Sequence, residues 1–243
     1  MKHYLSAFLM VKDENRYLRE WVAFHRTQGF TKFFIYDNGS KIPVSSTLSK
    51  EVAKGLVDVT IWNDTQTGRH VRAMNHCLNR NDLDSTWLSL IDTDEFIYGV
   101  DSKFIDVLRA NEDVDVVKVK WKGFGANGHD KIPHGLVIEE YQMCGDFEDL
   151  PGGKSTVKVG KIKAMRDPHN PKNNPPKRLL NSGAWINHYV TRSREDWMGK
   201  CKRGGGNGRP RETETFDRVQ IKLNKYKDIG ILKYLHETQL NLV

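Results

Sequence analysis

Four short apolar runs punctuate the first hundred residues, and a helix-patterned segment separates each from the next. The runs are residues 4–11, 32–36, 56–62 and 86–91. Between the first two, Leu18, Trp21, Val22 and His25 recur at helical spacing, which predicts an amphipathic helix over 15–28 with Gly29 as its stop. A weaker helix is expected over 46–54. His70, Ala73, Met74, Cys77 and Leu78 mark a further helical face. Strand–helix–strand order repeated in this way implies a mainly parallel sheet covered on both faces. Right-handed crossovers then make it a doubly wound, Rossmann-like α/β architecture, which binds ligands at the carboxyl ends of its strands.

The rhythm changes after Gly99. A helix over 102–111, a strand over 114–121, a glycine-bearing loop over 123–135 and a strand over 136–141 are expected. Residues 144–176, with five prolines, read as loop and short strands. Ser193 and Asp196 have the spacing of a capping box for a helix over 193–202. The glycine-rich stretch 204–208 reads as a flexible loop and the last thirty residues as polar helix. The expected organisation is one domain over 1–243: a nucleotide-binding half (1–100), a smaller mixed acceptor-binding half (101–205) and a helical tail (206–243).

The 243 residues carry a formal net charge of +7, with basic residues crowded between Lys154 and Arg211. Such a balance draws in polyanions, among them the phosphates of a nucleotide. No recognisable nucleic-acid module accompanies it, so nucleic acid is not an expected partner. Cys77, Cys144 and Cys201 are too few and too far apart for a disulfide framework or a CxxC metal site, which suits a reducing, cytoplasmic compartment. The apolar run 5–11 is too short to span a bilayer and no small-residue cleavage site follows it. The expectation is a soluble chain without leader or anchor, peripheral membrane contact staying open.

The fourth run passes directly into Asp92-Thr93-Asp94-Glu95. In extended chain, residues two apart share a face, so Asp92 and Asp94 would project together. Two carboxylates about 4 Å apart repel by roughly 4 kcal/mol at an effective dielectric of about 20. A divalent cation removes that penalty, and an oxygen-rich pair suits Mg²⁺ or Mn²⁺. Such an ion can bridge a diphosphate and neutralise a leaving group. Lys12-Asp13-Glu14 ends the first run and Asp37-Asn38 the second, on the same expected sheet edge, where a carboxylate can accept from a ribose hydroxyl or a base N–H. Asp64 ends the third run, and Arg69 behind it could meet a phosphate. In the loop after the 114–121 strand, Phe124, Gly125 and His129 are candidates for an acceptor or sugar pocket, with Trp121 assigned to the core. An inverting transfer needs a base near the acceptor hydroxyl. Glu139, Glu140, Glu148 and Asp149 are candidates, and Asp149 is preferred for its place before the basic segment.

Several ordered blocks resemble the glycosyltransferase 92-like group within the wider family 2-type enzymes. They are Val11-Lys12-Asp13-Glu14 with Leu18-Arg19-Glu20-Trp21, Tyr36-Asp37-Asn38-Gly39-Ser40, Ile91-Asp92-Thr93-Asp94-Glu95-Phe96-Ile97, Trp121-Lys122-Gly123-Phe124-Gly125, and Asn187-His188-Tyr189-Val190-Thr191-Arg192-Ser193 with Lys200 and Arg203. The resemblance implies a GT-A fold, a nucleoside diphosphate-sugar donor, often a UDP-sugar, a glycan or glycoconjugate acceptor, and a Mn²⁺ or Mg²⁺ ion. It places Asp92 and Asp94 on metal and diphosphate, and Lys12, Glu14 and Asp37 at the nucleoside. A late histidine completes the metal shell, His188 being preferred over His169. Arg192, Lys200 and Arg203 would close over the pyrophosphate as charge-assisted donors. Two other readings of the same residues are a metal-dependent nuclease or nucleotidyltransferase and a non-catalytic nucleotide- or glycan-binding protein.

Overall fold

The computed structural model describes residues 1–204 and 212–243. Residues 205–208 of the expected glycine-rich loop lie outside the described residues. The strands are β1 (His3–Val11), β2 (Lys32–Asp37), β3 (Val57–Ile61), β4 (Ser85–Leu90), β5 (Glu95–Gly99), β6 (Val116–Phe124), β7 (Met143–Cys144), β8 (Gly153–Lys158), β9 (Met165–Asp167), β10 (Asn170–Pro171), β11 (Lys177–Leu180), β12 (Ala184–Tyr189) and β13 (Tyr226–Lys227). The helices are α1 (Asn15–Thr27), α2 (Val44–Thr47), α3 (Ser49–Ala53), α4 (Arg69–Leu78), α5 (Phe104–Arg109), α6 (Val137–Glu140), α7 (Arg194–Arg203), α8 (Thr215–Leu223) and α9 (Leu235–Leu242). No described helix is long and apolar enough to cross a membrane.

The four expected N-terminal strands form a parallel block in the order β3-β2-β1-β4. β1 sits inside it and is buried on both faces. Its Leu5, Ala7, Leu9 and Val11 join the core that includes α1, while Phe8 packs with Ala73, Met74 and Cys77 of α4 on the other face. This alternation is the period-two geometry of a strand, and it is why the run is apolar throughout. The α1 stripe predicted from spacing is the buried one: Leu18, Trp21, Val22 and His25 are all enclosed. Burial of a ring the size of Trp21 is worth on the order of 3 kcal/mol. Gly29 ends the segment at φ +92°, where a Cβ would lie 2.6 Å from Ile105, so glycine is required on both counts.

The second half departs from expectation in three ways. Residues 136–141 form the one-turn helix α6, not a strand, because Glu20 on α1 accepts from the backbone N–H groups of Val137 and Ile138 and satisfies its N-terminus. β8 inserts antiparallel between β4 and β6, within a stretch expected to be mostly loop. One sheet therefore runs through both halves, extended by β11 and β12 beside β6, and β12 in turn pairs antiparallel with β5. Finally, the C-terminal segment is no loose tail. β13 pairs with β7, and α9 packs along α1, where Asn241 donates to the Ala23 carbonyl. The Ser193–Asp196 capping box opens α7 as its spacing predicts.

Candidate active site

The turn after β4 is the centre of the site. Glu95 N–H donates to the Asp92 carbonyl, and the Asp92 N–H donates to Glu95 Oε2 at 2.9 Å. Trp21 reaches across from α1 and donates its indole N–H to the carbonyls of both Asp92 and Glu95, each at 3.0 Å. Asp92 and Asp94 thus face one cavity from a closed turn, and not from the extended chain assumed above. The cavity, about 300 Å³, lies at the carboxyl ends of β1 and β4.

Each aspartate is anchored by a buried ammonium group. Lys154, at the start of β8, donates to Asp92 Oδ2 at 2.6 Å and lies 3.7 Å from Glu95. Lys200 on α7 donates to Asp94 Oδ2 at 2.6 Å and to the Val190 carbonyl. The other oxygen of each carboxylate faces an imidazole. His70 Nε2 stands 3.4 Å from Asp92 Oδ1, and His188 Nε2 stands 3.7 Å from Asp94 Oδ1. Burial alone would push both carboxyls up. Lys154 and His70 outweigh it at Asp92, and Lys200 and His188 hold Asp94 well below the usual carboxylate range. Asp92 nevertheless keeps a third of its side chain accessible through the cavity. Glu95 is wholly enclosed, and burial, with the two aspartates adding to it, drives its carboxyl well above the usual range. Burial also lowers His70, to about 4, leaving a neutral imidazole whose Nε2 has no hydrogen-bond partner.

A third buried pair closes the floor. Arg192, 1% exposed, donates to Glu14 Oε2 at 2.5 Å and to the Thr93 carbonyl at 3.0 Å, and its guanidinium stacks on Tyr17 at 3.7 Å. It does so at φ 54°, a left-handed backbone that costs a non-glycine residue roughly 1–2 kcal/mol. Arg203 pairs with the other oxygen of Glu14.

Of the residues expected at the site, Lys12, Glu14, Arg69, Asp92, Asp94 and Lys200 line the cavity, as do Arg203, His169 and His188. Arg192 lies behind it. The others are placed elsewhere. Asp37 accepts from the backbone N–H groups of Ser40 and Val44 and serves its own turn, while its neighbour Asn38 lines the cavity. Asp64 is held by Arg72. Asp149 pairs with Lys225 at 2.7 Å, and its carboxylate accepts from the Asp146 N–H. Gly125 packs on Asn224 and Gln220, and His129 turns to Glu140. The two aromatics exchange roles: Phe124 is fully buried against Tyr189, whereas Trp121 lines the cavity, its ring 4.8 Å from that of His188. Strand parity decides this, because residues three apart on β6 point to opposite faces.

Sequence reasoning missed His70 and Lys154. His70 follows Arg69 at the start of α4, just past the third strand end, and that placement was a usable signal. Lys154 had none, since only the pairing of β8 with β4 brings it to Asp92. Among the described residues, no group of three or more His, Cys, Asp or Glu side chains stands close enough as placed to hold a metal ion.

The sequence pattern of glycosyltransferase family 92 matches residues 7–228. A glycosyltransferase family 92 protein of Oryza sativa subsp. japonica is 27% identical over 143 residues, 57% of this chain and 24% of the relative. One of Arabidopsis thaliana is 32% identical over 101 residues, 40% of this chain and 17% of the relative. The matches thus span a quarter or less of these relatives' own length. Among solved structures, that of S. aureus TarS superposes with a TM-score of 0.51 at 14% identity, over 89% of this chain and 42% of that one, a likeness of fold. The family pattern begins within β1 and runs through β13. The chain belongs to glycosyltransferase family 92 and has the GT-A type of fold.

Proposed function

We propose that this domain transfers a sugar from a nucleoside diphosphate-sugar, a UDP-sugar in the first instance, to a hydroxyl of a glycan or glycoconjugate. The observation that carries the reading is the pair Asp92 and Asp94. Each has one oxygen fixed by a lysine and the other turned into a cavity at the carboxyl ends of β1 and β4, with Lys12, Arg69 and Arg203 also lining it. Carboxylate oxygens flanked by cationic donors suit a metal–diphosphate.

Two carboxylates and an imidazole are donors of the kind that suits Mn²⁺ or Mg²⁺. The carboxylate–imidazole separations of 3.4 and 3.7 Å are too long for good hydrogen bonds. Asp92, Asp94 and His188 would hold the ion, with His169 as the alternative imidazole. When bound, it would neutralise charge on the departing diphosphate. The chain's own part is orientation. Lys154 and Lys200 fix the two carboxylates, and Lys12, Arg69 and Arg203 meet the phosphates. In the proposed inverting step, the acceptor oxygen bonds to the anomeric carbon and the bond from that carbon to the diphosphate oxygen breaks. The hydroxyl proton leaves to a base, and the nucleoside diphosphate departs.

Thermal shift with UDP and UDP-sugars, with and without Mn²⁺, tests the reading. The expected result is a rise in Tm that needs both nucleotide and metal and is lost in Asp94→Ala. Donor binding that ignores the metal and survives Asp94→Ala would overturn it.

A further inference from the structure

A second groove, about 380 Å³, opens beside the first cavity, and Arg203 lines both. One wall is the start of α1 and the loop before α2: Asp13, Arg16 and Lys41. The other is the last turn of α7, where Lys202 and Arg203 flank the groove and Gly199 presents no side chain. Arg203 is matched by Glu14, so three further cationic side chains, Arg16, Lys41 and Lys202, meet one carboxylate, that of Asp13. That carboxylate is already committed, because Asp13 Oδ1 accepts from the Lys41 backbone N–H at 2.7 Å. Arg16 donates to a neutral carbonyl, that of Pro133, so no acid compensates it there. The ammonium groups of Lys41 and Lys202 form no ion pair with any described residue. α1 begins here, with Asp13 and the N-cap residue Glu14 ahead of a first turn that carries no acid.

This contrasts with the cavity next door, where Asp92, Asp94 and Glu14 are all matched by lysine or arginine. A cationic groove focuses its field and raises the local concentration of anions. We propose that the groove is the acceptor subsite and that it selects a saccharide bearing an anionic group, phosphate or carboxylate. The inference rests on the donor assignment above, since the acceptor hydroxyl must reach a sugar held beside Arg203. A neutral acceptor would leave Lys41 and Lys202 without partners, and the nucleoside would find no aromatic face in this groove.

NMR titration of the ¹⁵N-labelled domain, saturated with UDP and Mn²⁺, is the test. The probes are glucose 6-phosphate, glucuronate and glucose. The expected result is at least tenfold tighter binding of one or both anionic sugars than of glucose, weakened by salt. Which anion wins separates phosphate from carboxylate. Lys41→Glu/Lys202→Glu should abolish the preference while UDP affinity stays unchanged, and Lys41→Ala/Lys202→Ala should reduce it if the charge reversal perturbs the fold. Equal binding of charged and neutral sugars, or anion binding untouched in both double variants, overturns the proposal. Failure of UDP to bind, with lysine-dependent anion binding intact, would sink the donor assignment and leave the groove as an anion site.

Discussion

The acids of the cavity and the cations paired with them come from opposite halves of the molecule. Every carboxylate that lines the cavity comes from the first hundred residues: Glu14 after β1, and Asp92, Asp94 and Glu95 in the turn after β4. The cations paired with them, Lys154, Arg192, Lys200 and Arg203, all come from the second half. The acids are gathered locally, by two loops at one sheet edge. The cations are gathered only by tertiary structure, from β8, from the turn after β12 and from α7. The site is therefore a seam, and its geometry exists only when both halves are folded together. An ammonium group on one oxygen of each aspartate also removes rotational freedom from that carboxylate, so the remaining oxygen is presented in one direction.

The sharpest break of this comparison removes an acid and leaves the cations. Asp94→Asn keeps the size of the side chain and an acceptor for Lys200, but deletes the charge proposed to meet metal and diphosphate. Transfer should fall by about 10²–10³-fold in kcat, the range for losing one preorganised electrostatic group, measured as UDP release with the preferred donor. A loss under tenfold would mean that the acidic turn is scaffolding.

Removing a cation from the other side tests the seam as structure. Arg192 is enclosed and neutralises Glu14, whose side chain is also largely shielded. Stripping one member of such a pair costs about 3–5 kcal/mol where the other is left uncompensated, and Arg203 on the second oxygen of Glu14 makes that range an upper bound here. Arg192→Met should therefore lower unfolding free energy by up to that amount in urea titrations. Arg192→Lys should recover little, because one ammonium cannot serve both Glu14 and the Thr93 carbonyl. A loss below about 1 kcal/mol would show that the ion pair holds nothing together.

The same asymmetry explains what was legible in the sequence. β1 and β2 announce themselves because a strand buried on both faces needs apolar side chains at nearly every position. β8, Gly-Lys-Ser-Thr-Val-Lys, is equally central yet reads as loop. Its polar side chains are satisfied inside: Lys154 by Asp92, Ser155 by the His169 carbonyl and Thr156 by Ser89. No local pattern distinguishes a polar residue met by a partner in space from one met by water. Asp92 and Asp94 stood out as acids following an apolar run, although the turn that aims them is closed by Trp21, about seventy positions earlier. Asp37 and Asn38 show the limit in miniature. Both were visible as a strand end, but which carboxylate or amide faces the cavity depends on a turn whose N–H groups claim Asp37.

Glu20 sharpens the comparison by departing from it. It is an acid of the first half bound by the second half, but by the backbone N–H groups of Val137 and Ile138 at 2.8 and 3.1 Å, not by a cation. Burial pushes its carboxyl up to about 7, with those N–H bonds opposing. The unfolded chain releases this proton near pH 4.5, the folded chain near 7. Stability from the protonated form is therefore complete below about pH 4.5 and is lost as pH rises through about 7, by roughly 3 kcal/mol. Asp94, held low by Lys200, carries the opposite sign: its contribution is present above the usual carboxylate range and is lost on acidification. In Glu20→Gln the first slope should vanish, so the wild-type and variant urea curves, compared from pH 5 to 7.5, should diverge in that direction. Parallel curves would mean that Glu20 stays ionised, and that two backbone donors suffice to hold a buried carboxylate where its neighbours at the seam need a lysine or an arginine.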